Sequence, residues 1–128
     1  MDAIAAHQND VRALSKQVLT FHKPATRIPI HTGSTNSTRS QKVDPQKTVD
    51  VSQLNRILEI NIQEEYALVE PNVPMDMLVK ATLQRGFIPP VVMEFPGITT
   101  GGGIQGGAGE SSSFKEGLFH ENCIEYEM

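Results

Sequence analysis

The chain has one cysteine, Cys123, and no tryptophan in 128 residues. A single thiol excludes an internal disulfide and a cysteine-based zinc site. It suits a reducing compartment. Aromatics are sparse, with five Phe and two Tyr, so a core must rest on Val, Ile and Leu. No apolar run approaches the roughly 20 residues of a membrane span. The opening MDAIAAHQNDVRAL lacks the basic head and continuous apolar stretch of a signal peptide. These absences predict a soluble, cytoplasmic protein, either one small domain or part of a larger one.

Positive charge is scarce over most of the sequence. Residues 1–48 carry seven Lys/Arg against three Asp/Glu, and residues 49–128 carry four against twelve, for a net charge of −4. A general nucleic-acid binder needs a concentrated basic face, so that class is excluded. The asymmetry leaves a local positive region near the N-terminus, useful for an anionic ligand.

What is present is well punctuated. Ile4, Val11, Leu14, Val18 and Phe21 fall on one face of an amphipathic helix over about residues 3–21, ended by Pro24. TRIPIH (26–31) alternates like a short strand, and TGSTNSTRSQK (32–42) reads as a polar loop rich in donors. TVDVSQLNRILEIN (48–61) and YALVEPNV (66–73) read as strands joined by a hairpin-like turn over 62–65. PMDMLVKATLQRG (74–86) reads as a helix, with Pro74 in its first turn, Asp76 near its positive end and Gly86 just past its end. Met77, Leu78, Ala81 and Leu83 are its expected core face. FIPPVVMEF (87–95) reads as extended, kept from a central ladder by Pro89 and Pro90. NCIEYEM (122–128) alternates like the start of a strand.

Seven of the ten glycines lie between Gly97 and Gly109, in GITTGGGIQGGAGESSS. Gly101, Gly103 and Gly106 satisfy G-x-G-x-x-G, and Glu125 lies near the distance of a ribose-binding acid. However, Pro96, Gly97 and two threonines separate the glycines from the preceding extended run. A Rossmann-type nucleotide-binding module therefore stands only as an alternative. A Walker loop fails because Gly109 is followed by Glu110, and the nucleophile elbow fails because Ser113 stands where glycine is required. Composition alone leaves two readings open. Backbone amides with the hydroxyls of Thr99, Thr100 and Ser111–Ser113 make an anion cradle, or the glycines form a turn packed under a helix.

Three segments, VDVSQLNRILEIN, ALVEPNVPMDMLVKATLQRG and TTGGGIQGGAGESSSFKEGLF, carry a family resemblance. The sequence resembles the FAD-binding PCMH-type domain of the vanillyl-alcohol oxidase class, and within it the Δ24-sterol reductase-like FAD-linked oxidoreductases. The match covers roughly residues 25–128, behind an N-terminal helix over 1–24. The resemblance implies an α+β fold comprising the first subdomain and the start of the second. It implies that the FAD pyrophosphate lies between two loops. One supplies Gly33, Ser34, Thr35 and Asn36. The other supplies Thr99, Thr100, Gly101, Gly102, Gly103, Gly106, Gly107, Gly109, Glu110 and Ser111. Arg39 would lend charge nearby or be a solvated loop residue.

Many such proteins tether FAD through a histidine after two glycines in the first loop. Gly33-Ser34-Thr35 has none, which implies noncovalent FAD. His31, His120 and Cys123 are then expected as structural residues. In a complete protein the resemblance implies NADPH as electron donor and a carbon–carbon double bond of a sterol side chain as acceptor, with the endoplasmic reticulum surface as a second location. It places the substrate domain and the catalytic groups outside these 128 residues, which alone would be inactive. A noncatalytic remnant or interaction fragment is the competing reading.

Overall fold

The computed structural model describes residues 2–22, 27–33 and 44–128. Helix α1 (Ala3–His22) is followed by the short strands β1 (Ile30–His31) and β2 (Val49–Asp50), which pair in parallel, Ile30 opposite Val49. Strands β3 (Ile57–Asn61) and β4 (Tyr66–Val69) form an antiparallel hairpin with a bulge between Ile57 and Glu59. Helix α2 (Met75–Leu83), two short helices α3 (Thr100–Gln105) and α4 (Ser113–Glu116), and a 3-10 turn (Phe119–Asn122) complete the mixed α+β arrangement. Among the described residues no helix is long and apolar enough to cross a membrane.

The first two helices and the hairpin follow the sequence pattern, and the long strands do not. Pro24, expected to end α1, lies outside the described residues. The expected strand over 48–61 is interrupted because the Ser52 amide donates to the Asp50 carboxylate at 2.9 Å and the Leu54 amide to the Val51 carbonyl at 3.0 Å. That local turn competes with a ladder. The strand over 66–73 stops at Val69, since Pro71 has no amide to donate and the Val73 amide turns back to the Glu70 carbonyl at 3.2 Å. Of TRIPIH, the described residues 27–31 contribute Ile30 and His31 to a strand. Residues 87–95 enter no ladder among the described residues. The expected terminal strand is also absent: after the 3-10 turn, residues 123–128 are irregular, and Tyr126 donates its hydroxyl to the His120 carbonyl at 3.1 Å.

The core is small. Val73, Met75, Leu78 and Met93 are buried together, with Ile57, Val69, Val79, Ile98, Ala108 and Phe119 packed around them. On α2 the inward face is Met75, Leu78 and Thr82, a three- and four-residue spacing. The expected core residues Met77 and Leu83 are exposed instead, and Ala81 is half-buried. Pro74 is the N-cap of α2 rather than its first helical residue, because its ψ of 157° is extended. Helix α1 buries none of its residues; Val11, Leu14 and Phe21 are half-buried, while Ile4 and Val18 face outward.

Candidate functional site

The turn Glu70-Pro71-Asn72, between β4 and α2, organises the two segments that the sequence singles out. On one side, the Asn72 side-chain amide donates to the Thr32 carbonyl at 2.7 Å and to the Ser52 carbonyl at 3.2 Å. This fixes the exit of β1 and the start of the polar segment. Gly33 follows with a φ of +70°, a left-handed conformation that glycine adopts without strain. Ser34, Thr35, Asn36 and Arg39 lie outside the described residues.

On the other side, the same turn holds the glycine stretch. The buried Thr100 donates its hydroxyl to the carbonyls of Glu70 and Pro71, at 3.1 and 3.0 Å. Its amide goes to the Val73 carbonyl at 2.9 Å, and the Gly101 amide to the Pro71 carbonyl at 2.7 Å. The two segments are therefore anchored at adjacent residues of one turn.

The middle of the glycine stretch, Thr100–Gln105, is a helix, not the open nest of amides that one reading anticipates. Thr99 caps α3, its hydroxyl accepting from the Gly102 amide at 3.1 Å, and the Gly103 amide makes the first helical bond to the Thr99 carbonyl at 2.8 Å. Of the four amides that a helix N-terminus normally leaves free, those of Thr100, Gly101 and Gly102 are satisfied within the protein. The helix ends in a Schellman arrangement. Gly107 has a φ of +61°, its amide bonds the Ile104 carbonyl at 3.3 Å, and the Ala108 amide reaches the Gly103 carbonyl at 2.9 Å.

The glycines divide by face. A methyl group at Gly101 would meet Pro71 at 3.0 Å; one at Gly103 would run into the Met93 thioether and meet Phe119 at 3.2 Å; one at Gly109 would meet Leu118 at 2.8 Å. Close packing explains these three. Gly102 and Gly106, four residues apart, lie on the exposed side with Gln105. A methyl group there would meet only local atoms, the Thr99 hydroxyl and the Gly102 carbonyl. No neighbouring element among the described residues requires glycine at these two positions, so the exposed side of α3 is a strip of bare backbone.

The following loop supplies donors. Glu110 and Ser113 close a turn, amide to hydroxyl and amide to carbonyl, each at 2.9 Å, and the Ser112 hydroxyl donates to the Pro90 carbonyl at 3.0 Å. The amides of Gly109 and Ser111 have no acceptor among the described residues. His31 lies in β1 opposite Asp50. His120 follows Phe119 on the packed side of α3; its Nδ1 is buried with no hydrogen-bond partner among the described residues. The Cys123 thiol donates to the Glu125 carbonyl at 3.4 Å. Among the described residues no group of three or more His, Cys, Asp or Glu is placed to hold a metal ion.

Sequence reasoning missed the anchors Glu70, Pro71 and Asn72. All three lie in ALVEPNVPMDMLVKATLQRG, a segment that carries the resemblance, but nothing in their spacing marks them as anchors. The Rossmann alternative fails, because the residues before α3 form no strand that feeds directly into the glycines.

Comparison with known proteins gives the family. The sequence is 32% identical over 126 residues to Delta(24)-sterol reductase of Homo sapiens, covering 95% of this protein and 24% of the human one. It is 39% identical over 80 residues to Delta(24)-sterol reductase of Arabidopsis thaliana, 62% of this protein and 14% of that one. A Delta(24)-sterol reductase homolog of Caenorhabditis elegans is 38% identical over 72 residues, 56% of this protein and 14% of its own length. The chain thus spans a quarter or less of the length of these relatives. No solved structure matches it. The family described as FAD binding domain matches residues 3–128, a span holding both the Asn72-anchored segment and the glycine helix, and the chain belongs to that family.

Proposed function

We propose that this chain is the FAD-holding part of a Δ24-sterol reductase-like oxidoreductase. In this reading residues 25–128 form the cofactor unit, with the N-terminal segment 1–24, which contains α1, beside it. The observation that carries the reading is the bare strip of α3. Packing against other segments accounts for Gly101, Gly103 and Gly109, whereas a Cβ at Gly102 or Gly106 would meet only the helix's own cap and backbone, the Thr99 hydroxyl at 2.9 Å and the Gly102 carbonyl at 3.1 Å. Close approach of a ligand to the backbone supplies the missing reason.

The residues present fit the pyrophosphate of FAD. Gly102 and Gly106 let it approach, the free amides of Gly109 and Ser111 donate to it, and Gly33, Ser34, Thr35 and Asn36 are assigned to it from the segment that leaves Asn72. Thr99, Thr100, Gly101 and Gly103 act indirectly, by seating α3. Gly107 ends the helix, and Glu110 shapes the loop through Ser113. Bound FAD supplies two-electron transfer as hydride; the protein supplies position and electrostatics. FAD is held noncovalently, since the first segment offers no histidine after Gly33. In a protein of the relatives' length, a carbon–carbon double bond of a sterol side chain is the electron acceptor, in keeping with the relatives' name, and NADPH is the donor. The place of action is the cytoplasm or the cytoplasmic surface of the endoplasmic reticulum membrane.

Titration with FAD, followed by flavin fluorescence, tests the reading. The expected result is quenching at one FAD per protein, release of intact FAD on acid denaturation, and loss of binding in Gly106→Val with the thermal midpoint retained. Binding of NAD(P) without FAD, or full flavin occupancy in folded Gly106→Val, would overturn it.

A further inference from the structure

The Glu70 side chain is fully buried, and the FAD-holding reading gives it no role. A buried carboxylate is tolerated only when its oxygens are partnered. Glu70 accepts from the Arg56 amide at 2.6 Å, from Arg56 Nη1 at 3.0 Å and from His7 Nδ1 at 2.8 Å. His7 belongs to α1, 63 residues away in sequence. Arg56 in turn donates Nη2 to Asp10 of α1 at 2.7 Å, and that contact, with Glu70 behind it, raises the guanidinium pKa above its ordinary value.

These polar contacts bear unusual weight. Helix α1 buries no residue, so little apolar area holds it. A further polar tether is the Gln17 side chain on the Thr48 carbonyl, at 3.4 Å. His7 Nε2 also faces the exposed Glu127, at 3.9 Å.

The backbone of Glu70 does a second job. Its carbonyl accepts the Thr100 hydroxyl at 3.1 Å and the Val73 amide at 3.2 Å, and the next carbonyl, that of Pro71, holds the Gly101 amide. One residue therefore grips α1 with its side chain and the first turn of the glycine helix with its carbonyl. From this we infer that Glu70 couples the docking of α1 to the seating of α3, so that His7 is a positioning residue for the ligand strip. When His7 leaves, the carboxylate loses one of its three donors and shifts toward water. The 70–71 peptide shifts with it, and the first turn of α3 loosens. The functional half of this inference rests on the FAD-holding reading; the coupling itself does not.

The test uses the whole protein and needs no ligand at first. Amide hydrogen exchange is measured at Thr100–Gly103, with the amides of α2 as reference. His7→Ala is expected to raise exchange at Thr100–Gly103 about three- to tenfold, the scale of couplings within one hydrogen-bond network, with α2 unchanged. His7→Gln, whose side-chain amide can donate to Glu70, is expected to restore most of the protection. Faster exchange confined to α1 would overturn the coupling, as would a uniform rise that includes α2. FAD titration of the same variants separates the two halves. A weaker affinity that follows the exchange rates supports both. Exchange that responds while FAD affinity stays constant refutes the placement of FAD on α3 and leaves the coupling standing.

Discussion

Asn72 donates one side-chain amide to two carbonyls from different strand ends, Thr32 at 2.7 Å and Ser52 at 3.2 Å. It thereby ties the start of the polar segment to the turn that leads into α2. Asn72→Ala removes both bonds and leaves the two carbonyls to water. The expected cost is about 1–2 kcal/mol, at roughly 1 kcal/mol per bond. Urea unfolding followed by circular dichroism checks this. The same variant is expected to bind FAD more weakly, because Gly33 and its followers lose their fixed point of departure.

Gly103 and Met93 test the packing of α3. Gly103→Ala places a methyl group into the Met93 thioether and close to Phe119. Overpacking of this kind costs about 1–3 kcal/mol. Met93→Ala alone leaves a cavity in the core and costs about 2–5 kcal/mol. The double variant is expected to cost less than the sum, since the new methyl group enters the space that the thioether vacates. Additive costs in a double-mutant cycle would show that the two residues do not share that space.

How far the sequence announces this structure can be judged residue by residue. Helix α1, helix α2 and the 62–65 hairpin turn are legible because apolar spacing and turn residues act locally. Helix α3 is not. Three consecutive glycines have poor helix propensity, and beyond the Thr99 cap its first turn is held by the carbonyls of Glu70, Pro71 and Val73, all distant in sequence. Met77 and Leu83 are misplaced in the core by sequence reasoning because apolar character marks a helix face only once its orientation is known. Glu70 gives no sign of burial, since a carboxylate reveals its partners only in three dimensions. The glycine positions of the candidate site are legible from the family resemblance, but the division of labour between the two faces of α3 is not.

Glu65 closes the β3–β4 hairpin at a φ of +55°, the only non-glycine residue with positive φ among the described residues. A left-handed residue with a Cβ carries roughly 1–2 kcal/mol of strain, and glycine adds roughly 0.5–1 kcal/mol of backbone entropy. Glu65→Gly is therefore expected to stabilise the protein by about 0.5 kcal/mol, the difference between those terms. Its thermal midpoint should rise; a fall would mean that the glutamate side chain adds more stability than its backbone strain removes.

Asp50 sets an acid limb on stability. Hydrogen bonds from the Ser52 side chain and then the Ser52 amide hold its pKa below the ordinary 3.8, with His31 adding a smaller pull. A group whose folded pKa is depressed stabilises the fold above its unfolded value and loses that contribution as pH falls through the folded value. Stability should therefore decline below about pH 4, and Asp50→Asn should flatten that part of the decline. Thermal midpoints of both proteins, measured from acid to near-neutral pH, give the difference.

Three glycines in a row put roughly 3 kcal/mol of propensity against α3 relative to alanine. A helix of six residues cannot recover that alone. A synthetic peptide of residues 97–109 should accordingly be a coil in water. The ligand strip thus has no shape of its own: it takes one from the turn at Glu70-Pro71-Asn72 and from Met93 and Phe119 beneath it. Its folding is inherited, and on heating it should be among the first segments to melt, before the core of α2 gives way.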